Sequence, residues 1–344
     1  MKYLFVLGNG FSMDLFNHLG KSTDYPLGNL ISYGDKLCWP SNGRSAFISF
    51  RNTPNLWLLG VRSSNSNEKN TKIIENIITC ANAMYMKKGK DGLRSKNKKG
   101  EVYRNAYKEL VSFLKFLFIQ FDEEVVFERK DIENWHWARV FKAISENEEV
   151  EEVNIITFNY DLWVEKVLNA MGVDFRVTVI ENDGGGKFSI TKPHGSISFI
   201  HKASSDILEF NINYNNEISI LEGGEDDFEY SMENLRRHSP IIPLIPPAGD
   251  SSRFALTWAG KLKAEANRIA EDINENDKVV LCGLSYWHVD RNEIDEILLG
   301  INSQCEISYI NPNPPEALDA VLTSLFDNYE HYISSERFAG GQYV

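Results

Sequence analysis

Cysteine is scarce in this chain. The 344 residues hold four, Cys38, Cys80, Cys282 and Cys305, and no two form a C-x-x-C pair. That excludes a zinc knuckle and a secreted disulfide framework, and it points to a reducing compartment. Positive charge is also short: 36 Lys and Arg against 49 Asp and Glu leave a formal net charge of −13. A chain so acidic lacks the footprint of a nucleic-acid binder or of a protein held on an anionic membrane. Long apolar runs are missing as well. The most apolar, residues 111–121, is interrupted by Lys115 and is shorter than a membrane span. The apolar run that opens the chain ends at Gly8-Asn9-Gly10, too soon for the core of a signal peptide. The expectation is a cytoplasmic protein with no membrane and no direct nucleic-acid partner. No two histidines have metal-ligand spacing, so no metal is expected.

What is present starts at once. Residues 3–7 (YLFVL) read as a buried strand, broken by Gly8-Asn9-Gly10, with Ser12 and Asp14 offering N-cap side chains for a helix over 14–19. Strand, glycine turn and helix start is how α/β proteins build a phosphate cradle. Asn9 tolerates a left-handed backbone and so fits such a turn. The spacing is G-x-G with Phe11 next, and the third glycine of the dinucleotide fingerprint is absent.

The next stretch is of another kind. Residues 20–62 are irregular and carry Pro26, Gly28, Gly34, Pro40, Gly43 and Pro54. Helical spacing follows over 71–86, 103–121 and 132–144, with a basic, solvated connection at 87–99. Residues 20–150 therefore read as a mainly helical insertion. Trp135 and Trp137 belong to its core in this reading.

The α/β pattern returns at 153–158 (VNIITF), which runs into Asn159-Tyr160-Asp161 and a helix over 162–171 stopped by Gly172. A third strand is expected over 173–180. Residues 183–186 (DGGG) read as a hairpin tip, since a strand over 187–192 follows. That strand ends in Pro193-His194-Gly195-Ser196, and residues 196–240 form a smaller excursion. A helix over 253–273, strands over 278–282 and 305–310, and a helix over 291–299 complete a doubly wound, Rossmann-like, mostly parallel α/β sheet.

In such a sheet ligands sit at the carboxyl ends of the strands. Here those ends carry GNGFS, TFNYD, KPHGS, CGLS and INPNP. Asn159 has both donor and acceptor for a ribose or a water, or it makes a strand-end turn. His194 titrates near neutrality and suits a general base, or it is a satisfied structural histidine. Asp161 binds a carboxamide or caps the following helix. Ser12 and Ser285 meet phosphate or ribose, or cap turns.

Taken together these stretches resemble the Sir2-like (sirtuin-type) family of NAD-consuming domains. Gly8-Asn9-Gly10-Phe11-Ser12 is similar to its G-A-G-x-S phosphate turn. Thr157-Phe158-Asn159-Tyr160-Asp161 is similar to its nicotinamide-side motif, and Lys192-Pro193-His194-Gly195 to its K-L-H-G catalytic histidine. Gly283-Leu284-Ser285, followed by Asp290, resembles a late glycine-serine turn, and Ile310-Asn311 the segment near the adenosine. The motifs span nearly the whole chain, with 20–150 matching only as a helical insertion. The zinc-binding C-x-x-C pairs of protein-deacylating sirtuins are absent. Residues 246–249 (PPAG), Trp258 and the 283–290 segment look more like the bacterial antiphage branch, while GNGF also occurs in the AbiH-type abortive-infection family.

The resemblance implies one Sir2-like domain over 1–344 that hydrolyses NAD, its substrate, to nicotinamide and ADP-ribose. It assigns catalysis to Asn159, His194 and Asp161. Gly8, Asn9, Gly10, Phe11, Ser12, Thr157, Phe158, Gly283, Ser285, Asp290 and Asn311 would contact the nucleotide. It further implies an abortive-infection effector gated by homo-oligomerisation or by a partner, a HerA-type ATPase or a phage-derived activator. A non-hydrolysing NAD or ADP-ribose sensor, a protein deacylase and an ADP-ribosyltransferase are the alternatives.

Overall fold

The apolar run at the start of the chain is a central strand of a seven-stranded sheet. The structure, a computed structural model, describes residues 1–41, 43, 45–91, 98–181, 186–205, 210–212, 214, 223–239, 241–246, 257–287 and 290–342. In chain order its elements begin with β1 (Lys2–Leu7), α1 (Asn9–His18), α2 (Pro54–Leu58), α3 (Asn67–Asp91) and α4 (Lys98–Glu124). Next come α5 (Arg129–Ile132), α6 (His136–Glu146), β2 (Glu152–Thr157), α7 (Trp163–Met171), β3 (Phe175–Val177) and β4 (Phe188–Thr191). Then follow β5 (Phe199–His201), β6 (Phe228–Tyr230), α8 (Trp258–Glu271), β7 (Lys278–Cys282) and α9 (Arg291–Gly300). The last are β8 (Glu306–Ile310), α10 (Glu316–Leu325), β9 (Asn328–Tyr332) and α11 (Ser335–Gln342). Among the described residues no helix is long and apolar enough to cross a membrane.

Two compact units divide the chain. The first comprises Met1–Tyr25, Val126–Ser196 and Gly249–Val344 and holds the large sheet, in the order β3-β4-β2-β1-β7-β8-β9 with every pair parallel. From β1 the chain builds outward to β2, places β3 at the edge and fills β4 in between, then returns to lay β7 on the other side of β1. The strand order reverses there, so the switch point lies between β1 and β7.

Alternation along β1 explains why both faces of the sheet are covered. Leu4 and Val6 join a buried cluster with Leu281, Ile307, Ile269, Ile297 and Leu322, which places α8, α9 and α10 on one face. Phe5 faces the other way and meets Phe141 edge-on at 5.3 Å, and Phe11 of α1 packs at 5.5 Å on Trp137. The second unit, Pro26–Val125 with Ile197–Ala248, holds α2, α3, α4 and the antiparallel pair β5–β6. Its aromatic core includes Trp39, Phe47, Phe113, Phe116 and Phe210. Within it the buried Glu109 accepts hydrogen bonds from the Asn55 and Leu56 N–H groups (3.1 and 2.7 Å) and from the Tyr214 hydroxyl (2.8 Å), fixing the start of α2.

Several expectations change. The insertion runs over 26–125 rather than 20–150, because α5 and α6 pack with the sheet; Trp135 and Trp137 sit under Phe11. The third strand is three residues long. A γ-turn ends it: Ile180 N–H donates to Thr178 O (2.9 Å) across Val179, whose φ is 72°. No hairpin joins β3 to β4, which are parallel; Asp183, Gly184 and Gly185 lie outside the described residues. So do 92–97 of the basic connection, Pro247, Ala248 and Gly249 of the 246–249 segment, and the expected first turn of the 253–273 helix. An unforeseen seventh strand, β9, forms one edge of the sheet.

Candidate functional site

Because all seven strands run the same way, the sequence-flagged strand ends meet along a single edge. In spatial order they are Lys192-Pro193-His194 after β4, Phe158-Asn159 after β2, Gly8 after β1, Gly283 after β7 and Asn311 after β8. Five adjacent strands thus deliver them around the switch point.

At the centre the glycines serve close backbone approach. Helix α1 starts at Asn9 directly after Gly8, its N-cap, so Asn9 and Gly10 are helical and no left-handed residue occurs in this turn. The Gly8 N–H donates to Cys282 O (2.9 Å) and the Gly10 N–H to Gly283 O (3.3 Å). A Cβ on Gly8, Gly10 or Gly283 would come within 3.0 Å of the facing backbone, and Gly283 has a φ of +61° besides. The N-terminal donors of α1 are therefore partly spent inside the protein. Ser12 and Asp14 do not cap this helix, being in its body. The Asp14 carboxylate accepts from the Ser335 hydroxyl at 2.7 Å.

Ser12 instead organises a buried polar chain. Its hydroxyl donates to Asp161 Oδ2 (2.7 Å) and accepts from Asn159 Nδ2 (3.1 Å), which also donates to Gly8 O (3.1 Å). Thr157 Oγ1 accepts from the Asn159 backbone N–H (3.2 Å). These bonds settle which way the amide faces. A carboxylate only accepts, so Ser12 gives its proton to Asp161 and turns a lone pair to Asn159. Both Asn159 donors face inward, and its Oδ1 accepts from no described residue. Asp161 is buried and saturated: its other oxygen takes the N–H of Trp163, the first residue of α7 (3.2 Å). Burial pushes its carboxyl up to about 6, against the pull of Lys192, Ser12 and the Trp163 N–H.

Beneath lies an ion pair. Lys192, fully buried, donates to Asp161 O (2.5 Å) and to Glu165 Oε1 (2.7 Å), and Glu165 is fully buried too. Glu165 was not flagged from sequence, though a signal existed: it is a charge between Val164 and Val167 on a helix whose neighbours are buried.

On the next strand end, His194 is 5% exposed and its Nε2 meets Glu293 Oε2 of α9 at 2.5 Å. The Phe158 ring packs on the imidazole at 5.0 Å, linking it to the Asn159 turn. Burial alone would lower the His194 pKa, but the Glu293 charge and hydrogen bond, with Asp290 behind them, raise it above 6.5. Glu293 was also missed. Its partner is 99 residues away, and only the acidic i, i+3, i+6 series Asp290, Glu293, Glu296 hinted at a shared face.

The remaining flagged residues fall into two groups. Ser285 is exposed and its hydroxyl donates to Asp290 Oδ2 (3.0 Å), closing the loop before α9. Asn9, the first residue of α1, is exposed, and Phe158 is half-buried. Asn311 Nδ2 donates to the Tyr309 hydroxyl (2.8 Å) and Asn311 Oδ1 takes the Asn313 N–H (3.0 Å), two strands from β1. Phe11 is core, fully buried against Trp135 and Trp137. A surface cavity of about 550 Å³ lies at the opposite, amino end of β7, β8 and β9. Glu275, Asp277, Glu306, Asp327 and Glu330 make its lining acidic, which repels an anionic ligand. The strand-end cluster is the better candidate. A scan of protein-family models and a search of curated proteins each returned no match for this chain.

Proposed function

We propose that the chain is a Sir2-like NAD hydrolase, cleaving the nicotinamide–ribose bond to give nicotinamide and ADP-ribose. The observation that carries this reading is the orientation of Asn159. An amide with both donors tied down at the switch point, and its oxygen left over, suits a ribose hydroxyl or an attacking water. His194, on the adjacent strand end, supplies a base. In the step, the water oxygen bonds to C1′ as the C1′–N bond breaks. The electron pair of that bond goes to the nicotinamide nitrogen and the water proton to the imidazole. Asp161 acts from behind, by orienting Ser12 and hence Asn159.

The same reading makes the protein a cytoplasmic effector of antiphage abortive infection. Unrestrained NAD loss kills the host, so activity is gated by homo-oligomerisation or by a partner such as a HerA-type ATPase or a phage-derived activator. Full activity of an isolated monomer would remove the gating part.

The test is incubation of the purified protein with NAD, followed by chromatography for nicotinamide and ADP-ribose. Turnover supports the hydrolase. Nucleotide-dependent thermal stabilisation without turnover, with or without a partner, supports a sensor instead. Neither turnover nor stabilisation overturns both.

Acid pH separates activity from stability. Turnover is expected to fall as pH drops through about 6, where Asp161 protonates and its new O–H donor no longer fixes the direction of the Ser12 hydroxyl. His194 must also lose its proton to act as base, so the acid limb steepens toward a two-proton slope. The raised Asp161 pKa has the opposite sign for folding. Its stabilising contribution is complete below its unfolded value of 3.8 and is lost as pH rises through about 6. Rates and melting curves recorded from about pH 5 to about pH 8.5 distinguish titration from acid unfolding; a flat rate through pH 6 removes Asp161 from the mechanism.

A further inference from the structure

We propose that Glu293 is the positioning residue for His194: its carboxylate takes the Nε2–H and leaves Nδ1 as the nitrogen that meets the reacting water. The hydrolase reading supplies the reaction, but the pairing itself stands on geometry. A carboxylate oxygen 2.5 Å from Nε2 accepts, so Nε2 carries a proton in every state in which Glu293 is ionised. The neutral ring is then held in one tautomer, with its lone pair on Nδ1, and no described residue takes Nδ1. Phe158 packs at 5.0 Å on the same ring and Tyr160 lies at 6.4 Å, so rotation is restricted from the β2 side while Glu293 fixes the ring from α9.

The arrangement does what the third member of a catalytic triad does for its histidine: it sets tautomer and orientation and stabilises the imidazolium formed when the base takes a proton. The charges around the ring agree with this. Asp290, at the start of α9, adds to the negative potential, and Lys263 of α8 opposes it. Lys263 is itself paired with Glu296, one turn beyond Glu293, at 2.9 Å. Removing Glu293 would leave a 5% exposed ring whose burial favours the neutral form and whose tautomer nothing described selects.

The experiment is an NMR titration of the histidine rings in the full chain, with the His194 signals assigned by their loss in His194→Gln. Glu293→Gln keeps size and a hydrogen-bonding oxygen but removes the charge. The His194 midpoint is expected to fall by about 1–3 pH units, as for loss of an opposite charge within hydrogen-bond reach, and Glu293→Asp to recover part of the fall. If NAD is turned over, the His194 part of the rate's acid limb moves to lower pH in Glu293→Gln, down to the limit near 6 that Asp161 sets. An unchanged His194 midpoint in Glu293→Gln overturns the proposal. So does a midpoint that moves only in Asp290→Asn. The titration needs no substrate, so a protein that never cleaves NAD but shows the shift keeps the pairing and loses only the hydrolase reading.

Discussion

Replacing Lys192 with methionine is expected to destabilise the sheet-bearing unit by about 3–5 kcal/mol, the cost of breaking a buried pair by removing one partner. Lys192 and Glu165 are both fully buried, and Glu165 Oε2 has no partner among the described residues. The lysine is therefore what makes the carboxylate tolerable. The variant leaves a buried charge with nowhere to go, and the apparent melting temperature should drop by roughly 6–20 °C. Lys192→Met with Glu165→Leu should recover most of the loss, since a hydrophobic pair of similar volume often replaces a buried ion pair without cost. A single variant as stable as the parent would mean that the ion pair contributes nothing to the fold. The same substitution reaches the strand ends above. Lys192 holds the Asp161 carbonyl and lowers the Asp161 pKa, so the acid limb of turnover should move upward from about 6 in any folded Lys192→Met protein.

This pair also marks where reading the sequence stops. The strands β1, β2, β4, β7 and β8 were legible because each is an apolar run closed by a glycine, a proline or a polar turn. Their parallel order followed from the helices between the later ones. The edge strand β9 was not legible, because its sequence NYEHY is polar and its burial pattern is mostly exposed. An edge strand covered on fewer sides has no apolar run to announce it. The start of α1 was misplaced for a different reason. Glycines were read as a turn, whereas here they let two backbones touch, and that depends on Gly283, which arrives 273 residues after Gly10.

Candidate side chains divide along the same line. Ser12, Asn159, Asp161, Lys192 and His194 sit in short motifs at strand ends, where position alone flags them. Glu165 and Glu293 do not, because their meaning lies in a partner that only the fold brings near: Lys192 from the neighbouring strand end for one, His194 from across the switch point for the other. Phe11 shows the converse error. It lies inside a motif, yet α1 is already helical there and turns it into the core under Trp135 and Trp137.

Asn159 is the residue on which the hydrolase reading turns. Asn159→Ala removes the oxygen that accepts from no described residue and is expected to lower kcat by about 10²–10³, the loss typical of deleting one preorganised polar group from an active site. His194→Ala should cost about 10²–10⁴ if the imidazole takes the water proton. Asn159→Asp is the sharper comparison. It keeps the size and the outward oxygen, but a carboxylate cannot donate to Gly8 O or to Ser12, and it adds negative charge next to Asp161. If Asn159 acts only as an acceptor, the aspartate should retain much of the rate. If the orientation imposed by Gly8 and Ser12 matters, as its two inward bonds argue, Asn159→Asp should be as slow as Asn159→Ala, with KM little changed. Ser12→Ala then provides the control within the same network. It removes the acceptor for one Asn159 donor and the donor to Asp161, leaves the Gly8 bond in place, and should fall between the parent and Asn159→Ala in rate. Equal activity in all three variants would separate Asn159 from the chemistry and return it to the role of a strand-end turn.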